Sequence, residues 1–280
     1  MRADLHCHSS ASDGTNPPAE IIRRAAARVD VIALTDHDTV AGIGEAAAAL
    51  PPGLALIAGM ELSCRLAGHS VHLLGYLFDP SHPELAGQTR AIRNSRVDRA
   101  KAMVARLGEL GTGVTWEQVT AIAGDGVIGR PHIARAMIEA GVVGSLDEAF
   151  TADWIGPGGR AHVRRYALDP AYAISLLHAA GGVAVLAHPN AVTRGWSVPD
   201  DLISELAGAG LDGVEVAHPD HDLAQRTQLS TVARRLGLIE TGGSDDHGSL
   251  TGDRIGCEST GQDGLDALVQ RASGAPVIRA

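Results

Sequence analysis

Residues 29–38, VDVIALTDHD, form an apolar run that ends in a histidine between two aspartates. Six other apolar runs also carry a histidine or a carboxylate: ADLHCH (3–8), LALIAGMEL (54–62), HSVHLLGYLF (69–78), GGVAVLAHPN (181–190), LDGVEVAHPD (211–220) and LGLIETGGSDDH (236–247). Helical stretches lie between several of these runs, and buried strands that alternate with helices are typical of a mostly parallel sheet in an α/β fold. Because functional side chains of such folds gather at the C-terminal ends of the strands, the pattern predicts a barrel whose histidines and carboxylates converge at one mouth.

One long segment interrupts this pattern. Residues 80–165 are dominated by helical stretches, the longest of which covers 84–110. We interpret 80–165 as a helical insertion that acts as a lid or substrate domain. It would separate a first part of the barrel, 1–79, from a second part, 166–280.

The composition limits the classes of protein to consider. Of the 280 residues, 45% are hydrophobic and 20% are charged, which supports a sizeable core and not a disordered chain. Aromatic residues make up only 3%, which argues against a surface that stacks nucleic-acid bases. The formal net charge of -10 would repel phosphate groups unless bound cations reverse the charge locally.

The sequence also gives an expectation for location. No apolar run reaches the length of a membrane span, and no leader segment precedes the first apolar run. Cys7, Cys64 and Cys257 are isolated and form no CxxC pair, which fits a reducing compartment. We therefore expect a cytoplasmic protein with no membrane contact and no obligate protein partner.

Nine side chains in or just after these runs are candidate metal ligands. His6 and His8 are two residues apart, so both point to the same face of a strand. The set contains six histidines and three carboxylates: His6, His8, Asp13, His37, Glu61, His72, His188, Asp245 and His247. Any one of them alone would be explained as a capping or hydrogen-bonding residue. Imidazole with carboxylate, and without thiolate, suits Mn, Fe or Zn, so the whole set predicts an open catalytic metal centre.

The order and spacing of these motifs resemble those of the PHP (polymerase and histidinol phosphatase) family. The resemblance rests on DLHCHSSASDG, ALTDHD, GMELSC, HLLGY, AHP and GSDDHG. It implies a distorted (β/α)7 TIM-like barrel, the PHP fold, that holds three divalent metal ions. It assigns His6, His8, Glu61 and Asp245 to the first metal, Glu61, His72 and His188 to the second, and Asp13, His37 and His247 to the third.

The insertion makes the implied activity more specific. GRPHIA at 129–134 resembles a PHP subgroup of bacterial phosphoesterases that act on nucleoside 3′,5′-bisphosphates and on short 5′-phosphorylated RNA. The implied activity is metal-dependent hydrolysis of a nucleotide phosphomonoester, either a nucleoside 3′,5′-bisphosphate or a 5′-AMP-like compound. Our hypothesis for the chemistry is in-line attack on phosphorus by a hydroxide that bridges two metals. Three divalent cations and three carboxylates would leave a charge of about +3, which attracts phosphate despite the acidic chain.

Five residues are predicted to contact the substrate. Arg130 and His132 belong to GRPHIA, and Arg165 lies where the chain re-enters the barrel. Arginine is chosen because its guanidinium binds phosphate oxygens bidentately. His218 and His221 follow a strand end and are expected near a second phosphate or the leaving group, with a capping role as the alternative.

Two further groups of charged residues are noted. Four arginines recur every three residues along the long helical stretch, where we expect a solvated face more than an RNA-binding stripe: Arg90, Arg93, Arg96 and Arg99. Asp36 and Asp38 flank His37, and either could support a metal ligand through a hydrogen bond.

Several alternatives to this function stay open. A 5′–3′ exonuclease on short 5′-phosphorylated RNA and a histidinol phosphatase would use the same ligands, and GRPHIA favours nucleotides over histidinol phosphate. A non-catalytic metal-binding PHP module is disfavoured because all nine ligand positions are filled. A barrel of the amidohydrolase type often bridges its metals with a carbamylated lysine, but the only lysine, Lys101, lies in the insertion.

Overall fold

Seven strands in chain order form a nearly closed barrel. The computed structural model describes residues 1–124, 126–164, 166–191 and 196–280. The strands are β1 (Ala3–Asp4), β2 (Val31–Leu34), β3 (Ala55–Leu66), β4 (His69–Tyr76), β5 (Val183–Leu186), β6 (Gly213–Ala217) and β7 (Ile239–Gly242), while β8 (Ile278–Arg279) pairs with the start of β3. Hydrogen bonds from Leu5 N to Gly242 O and from Asp245 N to His6 O join the ends of β7 and β1. The predicted distorted (β/α)7 barrel is confirmed.

The β3–β4 hairpin departs from the sequence-based expectation. β1, β2 and β3 pair in parallel, as do β5, β6 and β7, but β4 is antiparallel to both of its neighbours. The third apolar run covers 54–62, whereas β3 continues to Leu66 and turns into β4 through Ala67 and Gly68. Because the paired strands extend past the barrel, Glu61 and His72 lie within the hairpin and not at strand ends.

Alternate residues of the strands enter two separate hydrophobic clusters. Val31 and Ala33 of β2 pack in a cluster with side chains of β1, β3 and β5. Ile32 and Leu34, which point the other way, pack in a second cluster with Ile21. Burial on both faces is expected of parallel strands covered by helices, and it explains why these runs are almost entirely apolar.

Ten helices lie within the described residues. They are α1 (Pro18–Ala25), α2 (Ile43–Ala48), α3 (Pro83–Glu109), α4 (Trp116–Ala123), α5 (Arg130–Glu139), α6 (Leu146–Ala149), α7 (Pro170–Ala179), α8 (Asp200–Gly208), α9 (Leu223–Leu236) and α10 (Gln262–Arg271). α1 and α2 cover β2 with the second cluster, and α7, α9 and α10 contact β5, β6 and β7. None of the described helices combines the length and the apolar character needed to cross a membrane.

The chain divides into two compact units. The barrel unit comprises 1–88 and 167–280, and the helical unit comprises 89–166. The helical unit has a hydrophobic core of its own, in which Met103 and Leu107 of α3 pack with Ile133 and Met137 of α5. α3 begins in the barrel unit and continues in the helical unit, so the division falls within a helix.

Candidate metal centre

The local structure brings the motif residues to one end of the barrel. His6 and His8 follow β1, and a parallel bridge between Cys7 and Asp246 sets this segment beside the loop after β7. A second parallel bridge places His37, which follows β2, directly beside Glu61 of β3. The strand register therefore gathers residues that are far apart in sequence.

The first group of side chains surrounds the imidazole nitrogens of His6 and His8. Their Nε2 atoms lie 3.1 Å apart. Glu61 Oε2 is 3.4 Å from His6 Nε2 and 3.1 Å from His8 Nε2, and Asp245 Oδ1 is 3.3 and 3.2 Å from the same two atoms. All four residues are buried, so two nitrogens and two carboxylate oxygens meet in one small volume.

The second group uses the other oxygen of Glu61. Its Oε1 lies 2.6 Å from His72 Nδ1 and 3.0 Å from His188 Nε2. Its Oε2 also lies 3.2 Å from His37 Nδ1. The Glu61 carboxylate therefore stands between separate sets of imidazoles, which is the position of a bridging ligand.

The third group is built around Asp13. His247 Nε2 lies 3.4 Å from Asp13 Oδ1, His37 Nε2 lies 3.7 Å from Oδ2, and His8 Nδ1 lies 3.7 Å from Oδ1. The rings of His8 and His247 stack with centroids 4.1 Å apart. The three groups share members, so the structure brings all nine predicted ligands into one continuous cluster.

The buried charges of this cluster shift one another's pKa. Burial opposes the charged form of His8, but hydrogen bonds to Asp245 and Glu61 outweigh it and raise the pKa of His8 to about 10. Burial also disfavours the Glu61 carboxylate, yet the charges of His37 and His72 hold the pKa of Glu61 well below its usual range. The carboxylates therefore require positive charge beside them, which protons or divalent cations can supply.

The chemistry of the donor atoms fits divalent metal ions. His6, His8, Glu61 and Asp245 each offer one nitrogen or oxygen atom, and these four atoms lie within 4.8 Å of one another. The Cys7 thiol points away from them and lies 3.0 Å from Ala33 O, so it offers no thiolate to the group. Nitrogen and oxygen donors without sulfur are typical of catalytic Mn, Fe or Zn sites and not of structural zinc.

The backbone is strained where these side chains are presented. Of the five non-glycine residues with positive φ in the described part of the chain, three lie here: Asp38, His188 and Asp245, with φ angles of 56°, 27° and 47°. Left-handed backbone of this kind costs energy and persists at functional sites because the surrounding contacts hold it. Its presence at the ends of three different strands supports a functional role for this end of the barrel.

Asp36 and Asp38 both support the loops that carry ligands. Asp36 accepts hydrogen bonds from Ser9 N at 2.8 Å and from Ser12 Oγ at 2.6 Å, which fixes the loop that leads to Asp13. Asp38 accepts from Ser63 N at 2.8 Å and Ser63 Oγ at 2.7 Å, which ties the end of β2 to the hairpin. The sequence left open which aspartate has a supporting role, and the structure shows that both have one.

Glu215 is a member of this site that sequence analysis missed. It lies in β6, is 1% exposed, and its Oε1 is 3.0 Å from His6 Nδ1. Together with His6 and His218 it forms a further group of nearby donor atoms. The available signal was a glutamate inside the apolar run VEV, since a charged residue that interrupts a buried strand needs a partner.

The two histidines of AHPDHD have different environments. His218 is fully buried, and its Nε2 lies 3.3 Å from Asp245 Oδ2. His221 Nδ1 lies 3.0 Å from Val216 O, and its Nε2 accepts the Asn190 N–H at 3.2 Å. Because the main chain uses both ring nitrogens of His221, its contacts favour the capping alternative over the predicted substrate contact.

The other predicted substrate residues belong to the insertion. His132 Nδ1 accepts the Gly129 N–H at 3.0 Å and so caps the start of α5. The Arg130 guanidinium lies over the ring of Phe150, 5.2 Å from its centroid. Arg165 lies outside the described residues. The predicted contacts of Arg130, His132 and Arg165 with substrate stay predictions.

The four periodic arginines of α3 do not form a uniformly solvated face. Arg90 is exposed and Arg93 is half-buried, but Arg96 and Arg99 are only 5% and 7% exposed. The expectation of a solvated face is therefore wrong for Arg96 and Arg99. Both have polar or electrostatic interactions, which is the condition under which arginine is buried.

Comparison with known proteins agrees with the geometry of the site. The PHP domain family matches residues 4–109. A 5′-3′ exoribonuclease of Haemophilus influenzae is 37% identical over 87% of this chain and 89% of its own. A 3′,5′-nucleoside bisphosphate phosphatase of Chromobacterium violaceum is 36% identical over 90% of this chain and 89% of its own.

Solved structures resemble the whole fold. A protein of Bifidobacterium adolescentis, provisionally named a metal-dependent phosphoesterase, is 33% identical, with a TM-score of 0.90 over 97% of this chain and 96% of that one. A protein of C. violaceum described as an amidohydrolase, with bound sulfate and no metal, is 32% identical, with a TM-score of 0.87 over 100% of this chain and 98% of that one. The chain belongs to the PHP family and is a metal-dependent phosphoesterase, as the motifs implied.

Proposed function

We propose that the protein hydrolyses a nucleotide phosphomonoester, either a nucleoside 3′,5′-bisphosphate or a 5′-AMP-like compound. Three divalent ions, Mn, Fe or Zn, would be held by the nine clustered side chains. The proposal rests mainly on the geometry of Glu61, whose two carboxylate oxygens face different sets of imidazoles. When bound, the ions would act as Lewis acids on phosphoryl oxygens and lower the pKa of water.

The chain's own residues hold and orient this centre. His6, His8 and Asp245 would hold the first ion together with Glu61 Oε2, which lies 3.1 Å from His8 Nε2. His72 and His188 would hold the second ion with Glu61 Oε1, and Asp13, His37 and His247 would hold the third. The strained backbone at His188 and Asp245 fixes these side chains in advance, so little rearrangement is required on binding.

The substrate class is supported by the relatives. The C. violaceum relative is named for nucleoside bisphosphates, and the H. influenzae relative is named for RNA, so phosphate esters of nucleotides are common to both. No strand of the barrel carries a lysine that could be carbamylated to bridge two metals, because the only lysine of the chain, Lys101, lies in α3. This supports phosphoester hydrolysis over chemistry of the amidohydrolase type.

A second candidate is a 5′–3′ exonuclease on short 5′-phosphorylated RNA, which the name of the H. influenzae relative favours. Both reactions hydrolyse a phosphate ester of a ribonucleotide and would use the same nine residues. They differ in the product, since the phosphatase releases inorganic phosphate and the exonuclease releases mononucleotides.

The proposal also covers the cellular location, the binding partners and the role of the insertion. The free cysteines support a reducing and hence cytoplasmic setting, because an extracellular chain would be expected to pair them. We propose that the substrate is a small phosphorylated nucleotide or a short RNA, with no obligate protein partner. The insertion at 80–165 is proposed to serve as the lid or substrate domain.

One substrate panel tests these proposals. Metal-stripped protein reconstituted with Mn²⁺ would be given adenosine 3′,5′-bisphosphate, 5′-AMP, a 5′-phosphorylated RNA trinucleotide and histidinol phosphate. We expect phosphate release to be fastest from the bisphosphate. Conversion of the trinucleotide to mononucleotides would support the exonuclease, whereas turnover of histidinol phosphate alone would contradict both nucleotide activities.

Two histidine variants provide the controls for this panel. His188→Ala removes a cluster nitrogen and should abolish turnover of every substrate. His178→Ala is the matched change on α7, where the ring is 41% exposed and bonds Asp212, and turnover should stay within about twofold of the wild type. Equal activity in His188→Ala and wild-type protein would contradict the assignment of the cluster as the catalytic centre.

A further inference from the structure

Glu215 connects two of the proposed metal ligands through its two carboxylate oxygens. Oε1 lies 3.0 Å from His6 Nδ1, and Oε2 accepts the main-chain N–H of His188 at 2.8 Å. His6 and His188 belong to different ligand groups, so one buried carboxylate on β6 reaches both. Glu215 has no place among the nine proposed ligands.

We infer that Glu215 is a positioning residue that fixes the ring of His6 and the backbone of His188, so that both present Nε2 to the metals. The inference rests on the proposed function, since it concerns how that metal centre is held. A histidine ligand commonly donates its second N–H to a carboxylate, which sets the tautomer and the orientation of the ring. Glu215 stands where such a partner of His6 is required.

The geometry around His6 supports this role directly. With the proton on Nδ1 and directed at Glu215, the lone pair of Nε2 points toward the first ligand group. Nε2 is 3.1 Å from His8 Nε2 and 3.3 Å from Asp245 Oδ1. The opposite tautomer would place a proton in the middle of the metal group.

The second hydrogen bond acts on a strained residue. His188 has a φ angle of 27°, which is unfavourable for any residue with a side chain. The bond from its N–H to Glu215 helps to hold this conformation, and the ring then places Nε2 3.0 Å from Glu61 Oε1. Loss of this hydrogen bond would therefore shift His188 Nε2 within the second ligand group.

Hydrogen-bond directions argue against the other use of Glu215, as a ligand of a fourth metal with His6 and His218. His218 Nδ1 accepts the Asp220 N–H at 3.0 Å, so the proton of the neutral ring is on Nε2, directed at Asp245. With Nε2 of His6 facing the first ligand group, the ring proton belongs on Nδ1, which faces the Glu215 carboxylate. Neither nitrogen then has a lone pair for a metal, which leaves Glu215 and His218 as hydrogen-bonding supports of the ligands.

The substitution Glu215→Gln changes the hydrogen bonding of this side chain and nearly keeps its shape. A carboxylate has two acceptor oxygens, and both partners of Glu215 are donors. Glutamine has nearly the same shape but one acceptor and one NH₂ group, so it can satisfy His6 or His188 and must present a donor to the other. Glu240→Gln on the adjacent strand β7 is the matched control, because this side chain is 39% exposed and bonds Ser230 and not the cluster.

The test is a Mn²⁺ titration of metal-stripped protein against a competing fluorescent chelator, which needs no turnover. We expect Glu215→Gln to weaken binding at one or more sites by about 10- to 100-fold. We expect Glu240→Gln to stay within about twofold of the wild type. Unchanged Mn²⁺ affinity in a folded Glu215→Gln variant would overturn the inference.

A second measurement uses wild-type protein and so does not depend on the folding of a variant. In Zn²⁺-loaded protein labelled with ¹⁵N-histidine, NMR should show His6 with a proton on Nδ1 and the metal on Nε2. A proton on Nε2 and the metal on Nδ1 would overturn the inference while leaving the proposed function intact. Wild-type protein that binds neither Mn²⁺ nor Zn²⁺ would instead contradict the proposed function itself.

Discussion

At the scale of single residues, Gly243 packs directly against the main chain of His6. A Cβ added to Gly243 would lie 2.5 Å from His6 N and closer still to His6 Cβ. Contacts this short with a backbone cannot be relieved by rotating a side chain, so the segment that carries His6 would have to move. The absence of a side chain at Gly243 therefore permits the close approach of the segment that carries His6.

We predict that Gly243→Ala lowers the free energy of unfolding by about 2 kcal/mol, because it overpacks this contact. It should also weaken Mn²⁺ binding, since His6 is displaced. Urea denaturation of metal-stripped protein and a Mn²⁺ titration would measure the two effects.

The matched control has the opposite expected sign. A Cβ at Gly44 in α2 meets no atom within 4 Å, and alanine is a better helix former than glycine. Gly44→Ala should raise the free energy of unfolding by about 0.5 kcal/mol and leave Mn²⁺ affinity unchanged. If both variants were equally stable, the close approach at Gly243 would not be a constraint.

At the scale of structural elements, α1 anchors the loop that presents Asp245 and His247. Arg24 of α1 bonds both oxygens of Asp246, at 3.0 and 3.1 Å. Asp246 is fully buried and also accepts the main-chain N–H of Gly248 at 3.0 Å. This ion pair ties a helix on the outside of the barrel to the loop between two ligands.

We predict that Arg24→Ala lowers the free energy of unfolding by about 2 kcal/mol, because it leaves the buried Asp246 carboxylate without its cation. Arg23→Ala on the same helix is the control. Arg23 is 65% exposed and pairs with Glu20, so its loss should cost less than about 0.5 kcal/mol. Equal losses in urea denaturation of the two variants would contradict the anchoring role.

The sequence predicted the elements whose apolar character follows from burial on both faces. The strands β2 and β5 are fully buried, as an uninterrupted apolar stretch implies, and the proposed ligands His37 and His188 follow them within about one turn of loop. The β3–β4 hairpin was not predicted, because the continuation of β3 past Glu61 depends on pairing with β4 and not on its own composition. An antiparallel hairpin of this kind depends on tertiary pairing, which the local sequence pattern does not show.

The sequence did not predict the roles of charged residues whose partners are distant in the chain. The nine proposed ligands were identified because their types and spacings match a metal chemistry. Glu215 was missed because its role depends on His6 and the His188 N–H, which lie 209 and 27 residues away along the chain. Similarly, the burial of Arg96 and Arg99 could not be inferred from their helical spacing, since spacing shows which residues share a face but not what covers that face.

At the scale of the whole molecule, the metal centre should couple metal binding to folding. Its ligands come from both segments of the barrel unit, 1–88 and 167–280, so an ion bound there would oppose unfolding of the whole unit. One site with free Mn²⁺ at about 100 times its Kd adds about 2.7 kcal/mol of stability.

We predict that Mn²⁺ raises the midpoint of thermal unfolding of metal-stripped protein by about 5–10 °C, and that EDTA reverses the shift. Differential scanning calorimetry would measure it. His188→Ala should show a smaller shift, because one nitrogen of the cluster is lost. Stabilisation of equal size in His188→Ala would indicate that Mn²⁺ binds elsewhere.

Nine side chains from both segments of the barrel unit are proposed to build one centre for three metal ions. Anomalous X-ray diffraction from Mn²⁺-soaked crystals, collected at the manganese edge, would locate these ions. We expect three anomalous peaks in the cluster, with Glu61 between the first and the second and with Asp13 at the third. Peaks confined to other parts of the molecule, or a fully loaded crystal with fewer than three in the cluster, would contradict the proposal.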